Sequence, residues 1–223
     1  MLTVHYYPAG IDTGDNPSPE AQLKRNRSTR SLWDPGYKDE SWVNDVVQMV
    51  PRMKKWAAAY PGTQTGITEY NWGAEKHISG ATAQADVLGI FGREALDLAT
   101  RWTTPETNSL AYLAIKIYRN YDGNRSTFGD QSVRAAVDQP DDLSAFAAVR
   151  KSDRALTVMV INKLNQQTPV KLMLSNFSAG SSAQRWQLTG PTIDKQPDVA
   201  VQGDKIEFTA PGPSISLIVL PAK

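Results

Sequence analysis

The pattern of hydrophobic residues changes part-way along the chain, and this change constrains the fold more than any other feature. Up to about residue 121, strand-like segments at 2–7, 65–70 and 95–101 alternate with helix-like segments. Three strand–helix repeats predict a parallel sheet with crossover helices. From about residue 145, six or seven short segments separated by turn residues predict an antiparallel β-sandwich instead.

Helices are predicted at 41–60 and about 81–94, and a third helix begins after Thr104. Pro51 lies inside the first of these helices and predicts a kink, because proline cannot donate the backbone hydrogen bond of a helix interior. The stretch 9–39 is predicted to be a long polar loop, and loops of that length usually carry function.

These patterns divide the chain into three parts. We expect an α/β domain over 1–125, an irregular connection over 126–144 and a β-sandwich domain over 145–223. With 223 residues, of which 40% are hydrophobic and 21% charged, the chain can bury a substantial core and is not disordered.

Composition also narrows the function. The net charge of +1 provides no basic field for nucleic acid or for an anionic membrane. The chain has no cysteine and only two histidines, His5 and His77, so disulfides and a histidine-based metal site are not expected. No hydrophobic run is long enough to span a membrane. The N-terminus lacks the features of a signal peptide and begins within a strand, so we expect a truncated chain or a misplaced start.

Residues 67–73, which read ITEYNWG, are the strongest functional motif. Glu69 follows two β-favouring residues and is succeeded by Tyr70, Asn71 and Trp72. A carboxylate can act as a nucleophile on a sugar, the phenol and the amide can bind hydroxyl groups, and the indole offers a flat apolar face to a pyranose ring. The competing interpretation is a strand that ends in a solvated glutamate.

The strand-end rule favours the functional interpretation. In parallel α/β folds, functional groups collect at the carboxyl ends of the strands. His5 and Tyr7 occupy that position on the first strand, Glu69 and Asn71 on the second, and Trp102 follows the third. We therefore expect these side chains to lie close together.

The amino-acid sequences of several segments resemble those of glycoside hydrolase family 44, a family of endoglucanases and xyloglucanases. The resemblance rests on residues 4–8 (VHYYP), 28–35 (STRSLWDP), 67–73 (ITEYNWG), 80–86 (GATAQAD), 91–94 (FGRE), 98–102 (LATRW), 120–123 (NYDG) and 128–130 (FGD). These segments occur in order along nearly the whole chain. The resemblance implies a TIM-type (β/α)8 barrel, of which the three strands here are the last three, followed by a β-sandwich.

The same resemblance implies roles for individual residues. Glu69 matches the nucleophile of a retaining hydrolase, and His5 and Tyr7 match a pair that lines the site, in which the tyrosine holds the nucleophile. Trp102 matches an aromatic residue that stacks on a sugar. Tyr70, Asn71 and Trp72 complete the predicted substrate-binding set. The implied substrates are β-1,4-glucans such as xyloglucan, carboxymethylcellulose or mixed-linkage glucan, and the implied location of the parent enzyme is extracellular.

The chain departs from the family pattern in one respect. The family's acid/base glutamate lies in an Asn-Glu dipeptide, which does not occur here. The remaining carboxylates near the half-barrel are Glu20, Glu40, Glu75 and Glu94. Glu94 is predicted to be helical and Glu75 to lie in the loop after the nucleophile strand, and neither is a convincing substitute. Three strands also cannot close a barrel, so we expect lower stability or self-association through the open edge.

Two classes of function remain open at this point. The first is an endo-acting β-1,4-glucan hydrolase with a retaining double-displacement mechanism, here an incomplete chain. The alternative is a non-catalytic carbohydrate-binding or structural fragment of such an enzyme. No cofactor is expected. Asp12, Asp15 and Asn16 form a loop that could hold a structural calcium ion, although their spacing is not that of an EF-hand.

Overall fold

The computed structural model describes residues 1–11 and 14–223 and has a small parallel sheet at its N-terminal end. This sheet contains β1 (Leu2–Tyr6), β2 (Thr65–Tyr70) and β3 (Leu98–Arg101), in the order β1-β2-β3. Both pairings are parallel. All three strands therefore end at the same edge, which is where the predicted site residues lie.

Four α-helices connect and cover these strands. They are α1 (Pro19–Ser28), α2 (Met49–Ala57), α3 (Ile78–Arg93) and α4 (Leu110–Arg119), and a 3₁₀ helix (Thr29–Leu32) follows α1 directly. Ser18 and Ser109 cap α1 and α4 by accepting a hydrogen bond from a backbone N–H of the first turn. Within 1–11 and 14–223, none of the helices combines the length and the hydrophobicity that a membrane crossing requires.

An antiparallel sheet forms the rest of the molecule. Its strands are β4 (Gln131–Val133), β5 (Leu143–Val149), β6 (Leu156–Asn162), β7 (Thr168–Met173), β8 (Ser182–Leu188), β9 (Ile193–Gln202), β10 (Lys205–Ala210) and β11 (Ser214–Leu220). They form one eight-stranded sheet in the order β4-β5-β6-β11-β8-β9-β10-β7. The fold is thus mixed α/β followed by all-β.

The eight-stranded sheet curls over itself. Val160 of β6 and Val170 of β7 belong to the same hydrophobic cluster although their strands are far apart in the sheet order. The long strand β9 makes this possible, because it pairs with β8 along most of its length and with β10 only at its end. The two layers expected of a sandwich are therefore parts of one continuous sheet.

A second hydrophobic cluster joins the two parts of the molecule. It contains Ile67 of β2, Ile90 of α3 and Leu113 of α4, together with Met159 and Leu217 from the antiparallel sheet. Every residue of β6 and β11 is buried, since one face of these strands packs on the helices and the other on the curled layer.

Four sequence-based expectations about local structure were wrong. The helix predicted to begin after Thr104 begins only at Leu110, with Ser109 as its N-cap. The helix predicted at 41–60 begins only at Met49, so Pro51 lies in its first turn, where no helical hydrogen bond is lost. The predicted loop 9–39 contains α1 and the 3₁₀ helix. The predicted irregular stretch 126–144 contains the short strand β4. The domain bounds themselves stay a prediction.

Candidate active site

Glu69 lies one residue before the end of β2, opposite His5 of β1 in the parallel register. The register shifts between Val4 and His5, which aligns His5 with Glu69 and Tyr6 with Tyr70. Tyr7 follows the last residue of β1. The strand ends thus bring a carboxylate, an imidazole and a phenol together at one edge of the sheet.

Both neighbours contact the same oxygen of Glu69. The Tyr7 hydroxyl donates a hydrogen bond to Oε2 at 3.0 Å, and His5 Nδ1 lies 3.2 Å from Oε2. For the other oxygen, Oε1, the described residues supply no hydrogen bond, and the Glu69 side chain is 27% exposed. The arrangement holds a carboxylate in one orientation and leaves one oxygen free to react.

The Tyr7 hydroxyl is suited to this task. Partial desolvation raises the pKa of Tyr7, and the hydrogen bond and negative charge of Glu69 raise it further. The positive charge of Arg101 acts in the opposite direction. The phenol therefore keeps its proton at neutral pH and remains a hydrogen-bond donor to the carboxylate.

Trp102 is an exposed aromatic residue of this edge, with 56% of its surface accessible. It directly follows β3, and its backbone N–H donates to the carbonyl of Tyr70 at 3.0 Å. The position agrees with an aromatic platform beside the carboxylate.

Tyr70 and Trp72 do not reach the site, which corrects the prediction that they bind substrate. They are only 3% and 2% exposed, respectively, and their rings contact each other in the core. Side chains alternate along a strand, so a neighbour of Glu69 must point to the opposite face. The Tyr70 hydroxyl accepts a hydrogen bond from Gln84, and Trp72 Nε1 donates to Ser28.

Asn71 lies at the site, but its amide is occupied by protein contacts. Its Nδ2 donates to the carbonyl of Trp102 at 2.7 Å, and its Oδ1 accepts from the backbone N–H of Gly73 at 2.7 Å and from Arg101 at 2.9 Å. Asn71 therefore links the ends of β2 and β3; these contacts use one of the two Nδ2 hydrogens, and its predicted hydrogen bond to a sugar stays a prediction.

Arg101 is a residue of this edge that the sequence did not single out. It ends β3, its side chain is 6% exposed, and it forms an ion pair with Glu75 at 2.7 Å. It also donates to Gln84 and to the carbonyl of Thr103. An arginine at the end of a strand was visible in the sequence, but its partners lie 2 to 30 residues away and carry no joint signal.

A metal site finds no positive support. Among the described residues, no group of three or more His, Asp and Glu side chains is arranged to hold an ion. Of the loop considered for calcium, Asp12 lies outside the described residues. Asp15 accepts a hydrogen bond from the backbone of Lys76, and Asn16 accepts one from the backbone of Ser18.

Comparison with known proteins gives consistent matches. The chain is 34% identical to Endoglucanase A of Paenibacillus lautus over 239 aligned residues, which cover all of this chain. It is 59% identical to CelM2, a bifunctional glucanase-xylanase protein from a metagenome library, with a TM-score of 0.97 over 99% of this chain. A Paenibacillus polymyxa xyloglucanase of glycoside hydrolase family 44 is 33% identical, with a TM-score of 0.89 over 99% of this chain.

These relatives are longer than the chain described here. The chain spans 34% of the P. lautus protein, 43% of the CelM2 chain and 46% of the P. polymyxa chain. No protein-family model matches the chain.

Proposed function

Because this chain belongs to glycoside hydrolase family 44, we propose that it carries the nucleophile of an endo-acting, retaining β-1,4-glucan hydrolase of the endoglucanase or xyloglucanase type. The observation that supports this most directly is the partly exposed Glu69 carboxylate, held through Oε2 by Tyr7 while Oε1 receives no hydrogen bond from the described residues.

In this proposal Glu69 Oε1 attacks the anomeric carbon of the bound glucan. A C1–Oε1 bond forms while the bond from C1 to the leaving oxygen breaks, and a glycosyl-enzyme ester results. Water then attacks C1 of the ester, releases Glu69 and restores the original anomeric configuration. Tyr7 and His5 keep the carboxylate oriented throughout, because a fixed geometry lowers the barrier to attack.

The exposed indole of Trp102 provides the platform for a sugar ring. Trp102 follows the strand adjacent to the one that carries Glu69, and more than half of its surface is open. A pyranose presents an apolar face of axial C–H groups, which packs well on an indole. His5 and Tyr7, which are both exposed, line the same edge.

The acid/base carboxyl comes from a segment outside this chain in the proposed enzyme. Retaining hydrolysis needs a second carboxyl roughly 5–5.5 Å from the nucleophile. Glu75, which lies in the loop between β2 and α3, is engaged in the ion pair with Arg101. We infer further that β1, β2 and β3 are the last three strands of a (β/α)8 barrel, since relatives with more than twice this length share the fold.

A polymeric substrate implies that the whole enzyme works outside the cell.

The strands β1 and β3 have no partner on their outer edges within the described residues. We therefore include in the proposal that the isolated chain self-associates through these edges.

The proposal is tested with a reagent that needs no acid catalyst. The reagent is a 2-fluoro-cellobioside with a dinitrophenyl leaving group. Because this group departs as a stable phenolate, the nucleophile alone suffices to form the covalent ester. We expect mass spectrometry to find one 2-fluoro-cellobiosyl adduct, mapped to Glu69, and no adduct in Glu69→Gln. The control Glu94→Gln, which alters a glutamate paired with Arg93, should be labelled like the wild type. An adduct on another residue, or none, contradicts the proposal.

A second assay distinguishes the proposed function from the alternative of a non-catalytic carbohydrate-binding fragment. Release of reducing ends from xyloglucan and carboxymethylcellulose by this chain, abolished in Glu69→Gln, would show that a second carboxylate completes the site. Labelling at Glu69 without hydrolysis is the result we expect. Binding of oligosaccharide without labelling would favour the non-catalytic alternative.

A further inference from the structure

The backbone around Trp102 is held on both sides by neighbouring groups. Its N–H donates to the carbonyl of Tyr70 at 3.0 Å, and its carbonyl accepts from Asn71 Nδ2 at 2.7 Å. The next carbonyl, that of Thr103, accepts from Arg101 Nη1. The exposed indole therefore projects from a backbone with little freedom to move.

Arg101 determines which way the Asn71 amide faces. Asn71 Oδ1 accepts from Arg101 Nη2 at 2.9 Å and from the N–H of Gly73 at 2.7 Å. If the amide were flipped, its NH2 group would face these two donors and its oxygen would face the Trp102 carbonyl, so three hydrogen bonds would be lost. Only the observed orientation presents Nδ2 to Trp102.

The guanidinium is itself fixed by a set of partners in different directions. Its Nη2 pairs with Glu75 at 2.7 Å, its Nε donates to Gln84 at 3.1 Å, and its side chain is almost fully buried. A planar fork with five N–H donors can serve four acceptors at once, whereas a lysine ammonium is a single point with three donors. Arginine is therefore the residue that this junction requires.

We propose that Arg101 is a positioning residue that, through Asn71 and the Thr103 carbonyl, fixes Trp102 as a preorganised sugar platform beside Glu69. This inference rests on the proposed function, because it takes Trp102 as the surface on which a β-glucan ring stacks. Arg101 does not touch the sugar; it acts through the backbone of Trp102. Preorganisation of this kind improves binding because the cost of ordering the platform is met during folding.

The first test needs no ligand. Fluorine NMR of the chain labelled with 5-fluorotryptophan, with the Trp102 signal assigned by Trp102→Phe, reports on the order of this indole. We expect one narrow signal in the wild type and a broadened, shifted or split signal in Arg101→Lys and Asn71→Ala. Arg150→Lys is the matched control, because Arg150 is also an ion-paired arginine with a mostly buried side chain (14% exposed), but it directly follows β5 in the other part of the molecule and pairs with Asp153. An unchanged Trp102 signal in both site variants overturns the inference.

The second test asks whether Arg101 acts through Trp102. Calorimetric titration with cellohexaose should show an affinity about tenfold lower in Arg101→Lys, as in Trp102→Ala. The double variant should bind no more weakly than Trp102→Ala alone, because a positioning residue has nothing left to position. Additive losses would show that Arg101 contributes independently and would contradict the inference.

The two tests keep this inference separate from the proposed function. If the wild-type chain does not bind cellohexaose, the proposed function fails for this chain, while the fluorine signal still decides whether Arg101 orders Trp102. Thermal unfolding of each variant shows that it is folded. If Arg101→Lys does not fold, Asn71→Ala carries both tests, because the Asn71 side chain is only partly buried.

Discussion

At the scale of single residues, the two oxygens of Glu69 have different environments. Oε2 receives the phenol of Tyr7 and lies near the imidazole of His5, whereas Oε1 is left without a hydrogen bond from the described residues. This asymmetry separates the task of orienting the carboxylate from the task of attacking a sugar. It also means that the contribution of each contact can be measured by changing one side chain.

Tyr7→Phe should slow covalent labelling of Glu69 about 10- to 100-fold, because the carboxylate loses the hydrogen bond that fixes its orientation. The rate is measured by mass spectrometry of the time course with the 2-fluoro-cellobioside. Tyr60→Phe serves as the control, since Tyr60 is exposed and its hydroxyl has no hydrogen bond in the described structure. Equal labelling rates in Tyr7→Phe and the wild type would mean that Tyr7 does not orient the nucleophile.

The pKa of Tyr7 should fall in Glu69→Gln. Desolvation raises this pKa above the ordinary value of 10.0 in the wild type, and the hydrogen bond and charge of Glu69 add to the effect. Glu69→Gln removes the negative charge of Glu69, so this contribution to the raised pKa is lost while desolvation and the opposing charge of Arg101 remain. Ultraviolet difference titration of both proteins against their Tyr7→Phe counterparts gives the two values. A raised pKa means that the folded state binds the Tyr7 proton more tightly than the unfolded state does. The resulting contribution to the free energy of unfolding is present below pH 10.0 and is lost as pH rises through the folded pKa. An unchanged pKa in Glu69→Gln would contradict the observed contact.

At the scale of elements, α3 joins the parallel sheet to the antiparallel sheet. Its Gly89 faces Phe146 of β5, and a Cβ at this position would lie 2.2 Å from the aromatic ring. Gly92, three residues later in the same helix, has open space on its side-chain face. The helix can approach β5 closely only because residue 89 has no side chain.

Gly89→Ala should therefore destabilise the fold by about 1–3 kcal/mol, since the Phe146 ring must move. Gly92→Ala should be neutral or stabilise the fold by up to about 1 kcal/mol, because alanine favours a helix. Urea unfolding followed by circular dichroism measures both. If the two variants had equal midpoints, the packing of α3 on β5 would not depend on Gly89.

The sequence predicted some elements far better than others, for physical reasons. The seven strands from β5 to β11 agree with the six or seven short strands expected from about residue 145, because hydrophobic segments separated by turn residues mark them. The helix α1 was missed because its buried residues are polar: Gln22, Arg25, Asn26 and Ser28. A hydrophobic period cannot reveal such a helix.

The candidate site was predictable where it depends on strand ends and unpredictable where it depends on side-chain partners. The strand-end rule brings His5, Tyr7, Glu69 and Trp102 to one edge, where the structure places them. The burial of Tyr70 followed from alternation along β2 but was outweighed in the prediction by its residue type, whereas Trp72 lies beyond the end of the strand, where alternation gives no guide. The contacts of Arg101 depend on the meeting of two loops, which local sequence does not encode.

At the scale of the whole molecule, a buried ion pair links helix α3 to the antiparallel sheet. Asp86 of α3 pairs with Lys163, which directly follows β6, at 2.9 Å, and both side chains are at most 3% exposed. Lys163 also donates to the carbonyl of Pro140, and Asp86 accepts from Thr29. A charge in this position needs its partner, because water cannot solvate it.

Lys163→Met should destabilise the protein by about 3–5 kcal/mol, because Asp86 keeps a buried charge without a counterion. The double variant Asp86→Leu with Lys163→Met should recover most of this loss, since no buried charge remains and Thr29 keeps its hydrogen bond to Asn26. Denaturant unfolding of the single and double variants provides the comparison. A double variant as unstable as Lys163→Met would show that the pair contributes more than charge neutralisation.

The burial of β6 and β11 on both faces has a consequence for the exchange of backbone amides with deuterated solvent. These amides become accessible only when the whole fold opens, so they should exchange last. The strands β1 and β3 each have an outer edge without a partner in the described structure. Alternate residues of β1 and successive residues of β3 are exposed, so amide exchange there needs only local fraying. His5, Tyr7 and Trp102 thus lie on or directly after strands that open by local fraying, and Glu69 lies on the central strand β2 between them, while the strands expected to exchange last lie in the sheet that carries none of these groups.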